Sequence, residues 1–455
     1  MNQATPVSQE QAPHILLVYL CYFLILGAYA TLVHQPAGQI DAFNTTARDL
    51  LKFVPSDPGS FITGAMDIAD KGWIAPSNNW IISFWPPGFL LIEAGLIKVM
   101  GLDTPHFVYA IQLLACAAWA LVLCQFNRTL RDWVSAPLAW LLPLALFVPP
   151  VARSFLLEPG RVIFGETFSI AFFFLGVLYA LQAFAAIRPR KLAVLAGMSL
   201  GFAAYFRSQF ELFVLGLTFW LLIAWLWHLM RRKQEPASAR WMGVALVIVL
   251  SAHVLMLPWR VYHQVTMGSP KWVYTEQLSF STSVTTREEL LSKGGGFIVE
   301  GGGGLTCRID PSTCGRVDEA AKLFIRTLLT HPIQWHAMKF GIIGKYFFAS
   351  QQDMDQAGSP RSVTDYVTNI YFLASIIGAI LLGIALARRG SVFAPLLNWL
   401  NVTVLSAYYL IFMVHQYEVR YFYFGKLYAT LMALTGLVLW ITNDKQHRKK
   451  STLRK

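Results

Sequence analysis

Long apolar runs separated by short polar segments make up most of the chain. Ten runs approach the ~20 residues that a helix needs to cross a hydrocarbon core of about 30 Å. This pattern predicts an all-α polytopic membrane protein with about ten transmembrane helices. Two further apolar stretches, 81–101 and 337–349, are ambiguous. The predicted spans are 14–33, 107–126, 137–151, 163–186, 192–206, 210–229, 241–258, 366–387, 392–414 and 421–442.

Basic residues concentrate between the apolar runs, where the positive-inside rule places them on the cytoplasmic side. With the N-terminus inside, every cluster is cytoplasmic only if 81–101 lies along the surface or dips into the membrane. Pro86-Pro87-Gly88 favours this, because a proline pair interrupts a spanning helix. We therefore expect cytoplasmic termini and juxtamembrane helices on the outer side. The clusters are Arg128/Arg131, Arg188/Arg190/Lys191, Arg231/Arg232/Lys233 with Arg240, Arg388/Arg389 and the tail 445–455.

The composition supports this topology. Of 455 residues, 55% are hydrophobic and 14% are charged, with a mean hydropathy of +0.49, whereas a soluble domain carries about 25% charged residues. The net charge of +12 belongs to the cytoplasmic clusters and does not indicate nucleic acid. The predicted parts are a seven-span module at 1–258 with an outer loop at 34–106, a long outer-side region at 259–365, and a three-span bundle with a basic cytoplasmic tail at 366–455.

An acid after the first span begins a regular pattern. Asp57 precedes Pro58, the order of a helix cap followed by proline at the first helical position. An aromatic, a small, an aliphatic and a glycine residue follow on one helical face. A carboxylate held there could act as a base toward a lipid-borne substrate, although the same residue could be only a cap. The positions after Asp57 are Phe61, Ala65, Ile68 and Gly72.

Several further ionisable residues fall near the predicted outer face, where charges at membrane depth are rare and usually functional. Arginines gathered with a base suit a ligand that carries a phosphate, because guanidinium binds phosphate with two hydrogen bonds. For single residues the alternatives are structural ion pairs, such as Arg207 with Glu211, or snorkelling of Arg260. The residues are Glu158, Glu166, Arg207, Arg260, His415, Glu418 and Arg420.

Two of the five cysteines lie together in the long outer region. Cys307 and Cys314 enclose six residues that include a proline, and an oxidising compartment would favour a disulfide between them. A zinc site is less favoured, because no second Cys/His pair is nearby to complete a tetrahedral set of ligands. A divalent metal stays open but is not indicated, because no His/Asp cluster has ligand spacing.

Taken in order, these motifs resemble the GT-C superfamily of integral-membrane glycosyltransferases over most of the chain. The sequence is similar in particular to the branch that contains protein O-mannosyltransferases and the aminoarabinose transferase of lipid A. Each motif is weakly specific, and the order carries the resemblance. The motifs are Asp57 with its following face, Pro86-Pro87-Gly88 with Gly101, Gly165-Glu166, the segment 196–204 leading to Arg207, Leu257-Pro258-Trp259-Arg260 and Glu418-Val419-Arg420-Tyr421.

The resemblance implies a GT-C-like seven-helix core and inverting transfer of a sugar from a polyprenyl-phosphate carrier. The acceptor would be a hydroxyl of a glycan, lipid or protein on the non-cytoplasmic side, and no cofactor would be required. Asp57 would be the general base. The family's acid usually lies nearer the first span, so Asp41 stays an alternative. The predicted donor-phosphate ligands are Arg207, Arg260, His415 and Arg420, with Glu158, Glu166 and Glu418 in support.

Two other classes of membrane protein stay open. A polymerase or ligase of the O-antigen type also has about ten spans and a large outer loop that contains arginines. A lipid-linked sugar transporter should show paired broken helices or internal symmetry, and the sequence shows neither. The compact chain and basic tail favour a bacterial inner membrane with the active site facing the periplasm.

Overall fold

The computed structural model describes most of the chain, and every regular element in the described part is a helix, as predicted. The described residues are 15–33, 40–53, 57–72, 86–186, 188–231, 236–267, 329–348, 363–391, 393–414 and 421–452.

Twelve helices lie before residue 268 in the described part of the chain. Short 3-10 turns at Leu51–Phe53 and Leu142–Phe147 follow directly on two of them. The helices are α1 (Ile15–Leu32), α2 (Ala47–Leu50), α3 (Asp57–Lys71), α4 (Pro87–Met100), α5 (Phe107–Arg131), α6 (Ala136–Leu141), α7 (Pro150–Leu157), α8 (Pro159–Val162), α9 (Glu166–Ala185), α10 (Arg190–Phe206), α11 (Gln209–Arg231) and α12 (Pro236–Met267).

The described helices after residue 328 pack mainly on each other and on α11. They are α13 (Pro332–Phe347), α14 (Val363–Arg388), α15 (Ala394–Val414) and α16 (Tyr421–Thr452).

Eight of the described helices are long and apolar enough to cross a membrane, so the chain is a multi-pass membrane protein. The eight segments are Ile15–Leu32, Phe107–Arg131, Glu166–Ala185, Gln209–Met230, Trp241–Tyr262, Val363–Arg388, Ala394–Phe412 and Phe422–Thr442.

Two predicted spans account for the difference from ten. The run 137–151 is broken, because Ala136–Phe147 and Pro150–Leu157 meet at 76°. Pro149 and Pro150 supply no backbone N–H and restrict the chain at the bend, which explains the break. The other, α10, has 17 residues, which at 1.5 Å per residue cover about 26 Å, less than the ~30 Å core.

The described part of the stretch 81–101 contains a helix that is too short to span. This helix, α4, begins at Pro87, the second proline of the pair, and has 14 residues, or about 21 Å. It packs along α3, and the buried face of α3 contains Phe61, Ala65 and Ile68. The predicted face is therefore a packing face, and Gly72, with φ +82°, follows the last residue of the helix.

Glycines of the segment 196–204 allow α10 to approach α12 closely. A Cβ placed on Gly197 would lie 2.1 Å from Ile248 O, and one on Gly201 would lie 3.0 Å from Ala252 O. Small residues permit such backbone contact between membrane helices. This part of the motif therefore holds the helix pair together, and Arg207 follows directly at the end of α10.

We expect Gly197→Ala to destabilise the protein, because the added methyl group must push α10 away from α12. Overpacking of this kind costs about 1–3 kcal/mol. Thermal unfolding of the detergent-purified protein measures the loss. Gly243→Ala is the matched control. Gly243 lies on α12, and nothing lies within 4 Å of a Cβ added there. Equal melting temperatures for the two variants would contradict the prediction.

One acid lies in the core of α4. Glu93 is fully buried on the face that also carries Phe89, Leu90, Ala94 and Ile97. Neither carboxyl oxygen has a hydrogen-bond partner among the described residues. Burial raises the pKa of Glu93 well above its ordinary value of 4.5. The sequence analysis did not single out this residue.

Glu93→Met should stabilise the protein by about 1–3 kcal/mol. The methionine side chain has a size similar to that of glutamate but removes the buried carboxyl group that has no hydrogen-bond partner among the described residues. Between the unfolded and folded pKa values of Glu93, the unfolded chain holds fewer protons, so wild-type stability falls as pH rises. The gain in the variant should therefore grow above about pH 4.5. Melting curves at several pH values test this, with the exposed Asp103→Asn as control. A constant or negative difference would contradict it.

Candidate active site

A cation between two acids lies where α3, α9 and α10 meet. The Arg207 Nη2 atom is 3.0 Å from Glu166 Oε1 and 3.8 Å from Asp57 Oδ2. The same nitrogen donates to Phe164 O at 2.9 Å. The guanidinium also lies 5.7 Å from the ring centroid of Phe61, the residue one turn after Asp57. Three of the predicted site residues are thus brought together.

The ends of the helices favour these charges. Asp57 and Glu166 are the first residues of α3 and α9, where the helix dipole stabilises a carboxylate. Arg207 follows the last residue of α10, where the dipole favours a cation. Its extended backbone, φ −149° and ψ 122°, turns the chain from α10 into α11.

Gly165 sets the position of Glu166. It adopts φ +72°, a left-handed conformation that glycine tolerates best. A Cβ at this position would also lie 2.7 Å from the ring of Phe89 on α4. Glycine therefore precedes Glu166 for two structural reasons: the backbone is left-handed, and Phe89 leaves no room for a side chain.

The three charged groups differ in access to solvent. The side chains of Arg207 and Glu166 are 6% and 7% exposed, whereas that of Asp57 is 23% exposed. The tight pair is Arg207–Glu166, and Asp57 has the looser contact. Asp57 is therefore the more accessible of the two acids.

The Arg260 side chain is held in a second ion pair, with Glu211. Its Nη2 and Nε atoms donate to Glu211 Oε1 at 2.7 and 3.3 Å, and both side chains are nearly buried. Glu211 lies in the first turn of α11, four residues after Arg207. Its ion-pair partner is nevertheless Arg260, whereas Arg207 pairs with Glu166. Tertiary contacts thus take the place of the local Arg207–Glu211 pair considered from the sequence.

Pro258 lies inside α12, two residues before Arg260. Because proline has no N–H, the helix loses the bond to the carbonyl four residues earlier. The hydroxyl of Tyr205 donates to the next carbonyl, Leu255 O, at 2.8 Å. The end of α10 thereby supports the interrupted turn that carries Arg260.

The sequence analysis did not single out His253. It lies two turns before Arg260, and its Nδ1 atom is 3.2 Å from Arg260 Nη1. A lone histidine in an apolar run has no sequence signal that distinguishes it from a packed core residue.

The remaining predicted residues have other partners or fall outside the described part of the chain. The Asp41 carboxylate accepts from Phe43 N at 2.8 Å and from Asn44 Nδ2 at 2.6 Å, so both oxygens stabilise the 41–44 turn. Glu158 Oε2 accepts from Ser154 Oγ at 2.6 Å between α7 and α8. His415, Glu418, Arg420 and the proposed disulfide pair Cys307 and Cys314 lie outside the described residues.

Within the described residues, no group of three or more His, Cys, Asp or Glu side chains could hold a metal ion. Cys21, Cys116 and Cys124 are free thiols, two of them buried. The acids of the site are instead neutralised by arginines.

An apolar cavity of about 290 Å³ lies among α13, α14, α15 and α16. Its wall includes Phe347, Tyr408, Phe412 and Phe422 and one lysine, Lys426. The Lys426 amino group donates to Phe347 O at 2.8 Å and to Asn369 Oδ1 at 3.2 Å. The cavity thus has an apolar wall that includes one buried lysine.

An aromatic cluster connects this cavity with the helices of the site. Phe424 on α16 lies 4.9 Å from Phe210 and 5.0 Å from Phe213 on α11, measured between ring centroids. It also lies 5.0 Å from Phe173 on α9 and stacks on Tyr408 at 5.9 Å. The helices that begin at Glu166 and next to Arg207 therefore pack directly against the cavity wall.

Among known proteins, no family model and no curated protein matches the chain. Two solved structures are similar. The archaeal oligosaccharyltransferase AglB from Archaeoglobus fulgidus, in complex with an inhibitory peptide and a dolichol-phosphate, is 10% identical, with a TM-score of 0.48 over 95% of this chain and 51% of its own. ArnT from Cupriavidus metallidurans, bound to undecaprenyl phosphate, is 14% identical, with a TM-score of 0.39 over 94% of this chain and 78% of its own.

Both similar structures are membrane glycosyltransferases of the GT-C superfamily, the family that the sequence resembles. The chain spans about half the length of AglB. With both TM-scores below 0.5, the likeness carries no argument about a substrate or a side chain.

We expect Arg207→Gln to destabilise the protein by about 3–5 kcal/mol, because it leaves Glu166 buried without its cation. Adding Glu166→Gln to the same chain should recover part of the loss, since it removes the uncompensated charge. Unfolding of the single and double variants measures both effects. Arg48→Gln is the control, because its ion pair with Asp103 is exposed and should hardly change the melting temperature. Additive losses in the double variant would contradict the buried pair.

Proposed function

We propose that the chain is an inverting glycosyltransferase that moves a sugar from a polyprenyl-phosphate carrier to an acceptor hydroxyl. The observation that carries the proposal is the position of Asp57. It is a partly exposed carboxylate at a helix start, 3.8 Å from a buried guanidinium that a second acid already holds. A base fixed in this way keeps its orientation while a hydroxyl approaches.

The chemistry needs one displacement. The acceptor oxygen attacks the anomeric carbon on the face opposite the phosphate, while Asp57 takes up the hydroxyl proton. The bond between that carbon and the phosphate oxygen breaks, and its electron pair leaves with the lipid phosphate. The sugar changes its anomeric configuration once, and the proton remains on Asp57 until water removes it.

The geometry favours a supporting role for Arg207. The sequence analysis placed this residue among the phosphate ligands, but its near contacts are Glu166 and Asp57. We therefore assign Arg207 to holding the Asp57 side chain in place.

The departing phosphate requires positive charge where negative charge develops. We assign this role to Arg260, with His415 and Arg420 as predicted partners from the sequence. Arg260 is nearly buried and fixed by Glu211, so it needs little reorganisation when the donor binds. A guanidinium oriented in advance stabilises the leaving group more effectively than a mobile one.

The apolar cavity suits the carrier lipid. A hydrocarbon chain gains about 0.8 kcal/mol for each buried CH₂ group, and the wall among α13 to α16 is apolar with aromatic side chains. The aromatic cluster around Phe424 links this wall to α9 and α11. We propose that the chain of the donor lipid binds in this cavity.

The remaining elements of the proposal come from the sequence. The acceptor is a glycan, lipid or protein, the active site faces the periplasm of a bacterial inner membrane, and both termini are cytoplasmic. No cofactor is part of the proposed reaction.

Asp57→Asn should lower the turnover number by roughly 10²–10⁴-fold, because the amide cannot accept the proton. The assay uses purified protein and radiolabelled polyprenyl-phosphate sugars and follows acceptor-dependent release of lipid phosphate. Asp67→Asn, further along the same helix and paired with Lys71, is the control and should keep wild-type turnover.

Two outcomes would change the assignment. Full activity of Asp57→Asn together with loss in Asp41→Asn would move the base to Asp41. No release from any donor sugar by the wild type would reject the transferase and return attention to a polymerase or transporter.

A further inference from the structure

A chain of hydrogen bonds continues beyond Arg260 into the membrane part of α11 and α12. His253 is half-buried, with Nδ1 at 3.2 Å from Arg260 Nη1 and Nε2 at 2.9 Å from Thr218 Oγ1. The Thr218 hydroxyl in turn lies 2.9 Å from Val214 O, one turn earlier on α11.

The direction of each bond follows from the chemistry of the groups. A guanidinium has only donors, so His253 Nδ1 must accept from Arg260. The carbonyl of Val214 has only an acceptor, so Thr218 must donate to it and has no second proton to give. His253 Nε2 therefore carries the proton and donates to Thr218. Both ends of the chain require the same tautomer.

We infer that His253 is a positioning residue for the sugar donor: as the neutral Nε2-protonated imidazole, it fixes the guanidinium of Arg260 beside Glu211. This inference rests on the proposed role of Arg260 in binding the donor phosphate. Glu211 receives the Nε–Nη2 edge of Arg260 and His253 receives Nη1, so two different helices define the plane of the guanidinium.

This arrangement makes donor binding sensitive to pH. A proton added to Nδ1 removes the acceptor and places a second cation 3.2 Å from Arg260. Of the groups around His253, α12 contributes Arg260 and α11 contributes Glu211 and Thr218. The adjacent α10 contributes Tyr205, whose hydroxyl is bonded to Leu255 O, and the acid of α9, Glu166, is paired with Arg207. Protonation of His253 should therefore turn Arg260 away from its neutral-pH orientation.

The test compares donor kinetics of the full chain as wild type, His253→Leu and His253→Gln, in the lipid-phosphate release assay across pH. His253→Leu should raise the KM for the donor roughly tenfold with a smaller effect on kcat, since a hydrogen bond to a charged group is lost. His253→Gln should keep nearly the wild-type KM at neutral pH, because the amide can accept from Arg260 and donate to Thr218. It should also lack the rise in KM at acidic pH that the wild type shows.

A matched control is His228→Gln, at the other end of α11, which should keep both the KM and the pH profile of the wild type. An unchanged KM in His253→Leu overturns the inference. So does the same acidic rise in KM in wild type and His253→Gln, because the titrating group would then be another residue.

A measurement without turnover separates this inference from the proposed function. Nitrogen NMR of ¹⁵N-histidine protein, with His253→Gln as the difference control, should show a neutral imidazole protonated on Nε2. An Nδ1-protonated ring would overturn the positioning role. If the wild type releases no lipid phosphate, the transferase proposal fails. Independently of that result, an imidazole without the Nε2 proton rejects the hydrogen-bond chain.

Discussion

The contact of Arg207 with two acids is the constraint on which the site depends. A buried guanidinium is costly unless its charge is compensated, and here the compensation comes from the first residues of two different helices. The starts of α3 and α9 and the end of α10 must therefore meet at one place for the charge to be compensated. The proposed base is held by the same interaction that fixes this meeting point.

Close packing supports the electrostatics. The glycines of α10 let it lie directly against α12, and Tyr205 at its end bonds to the interrupted turn of that helix. The packing of α10 on α12 therefore sets the positions of both arginines. Arg207 lies at the end of α10, and Arg260 lies just after Pro258 in α12. The two ion pairs are thus joined through backbone packing as well as through their proximity in sequence.

Sequence periodicity was sufficient to predict helices whose buried face is set by the local pattern of apolar residues. The face that follows Asp57 and contains Phe61, Ala65 and Ile68 is buried, and the helix ends at Lys71, directly before Gly72. The break in 137–151 was missed, although Pro149-Pro150 carried the local signal for it.

Tertiary partners could not be read from the sequence. Arg207 and Glu211 have helical spacing, yet each finds a stronger partner on another helix. Glu93 has the position of a core residue and the chemistry of a surface residue, so neither rule identifies it. His253 becomes informative only when Thr218 and Arg260 are seen on either side of its ring.

The first turn of α4 has a consequence for movement. Added atoms at Gly88 would meet Tyr205 O, and added atoms at Gly165 would meet Phe89, so the start of α4 is enclosed by the segments that carry Arg207 and Glu166. Movement of this first turn toward either segment would meet atoms that leave no room for it, so its position is coupled to those of Arg207 and Glu166. Because α3, which begins at Asp57, also packs along α4, a helix that carries none of the three charged groups is in contact with all the segments that carry them.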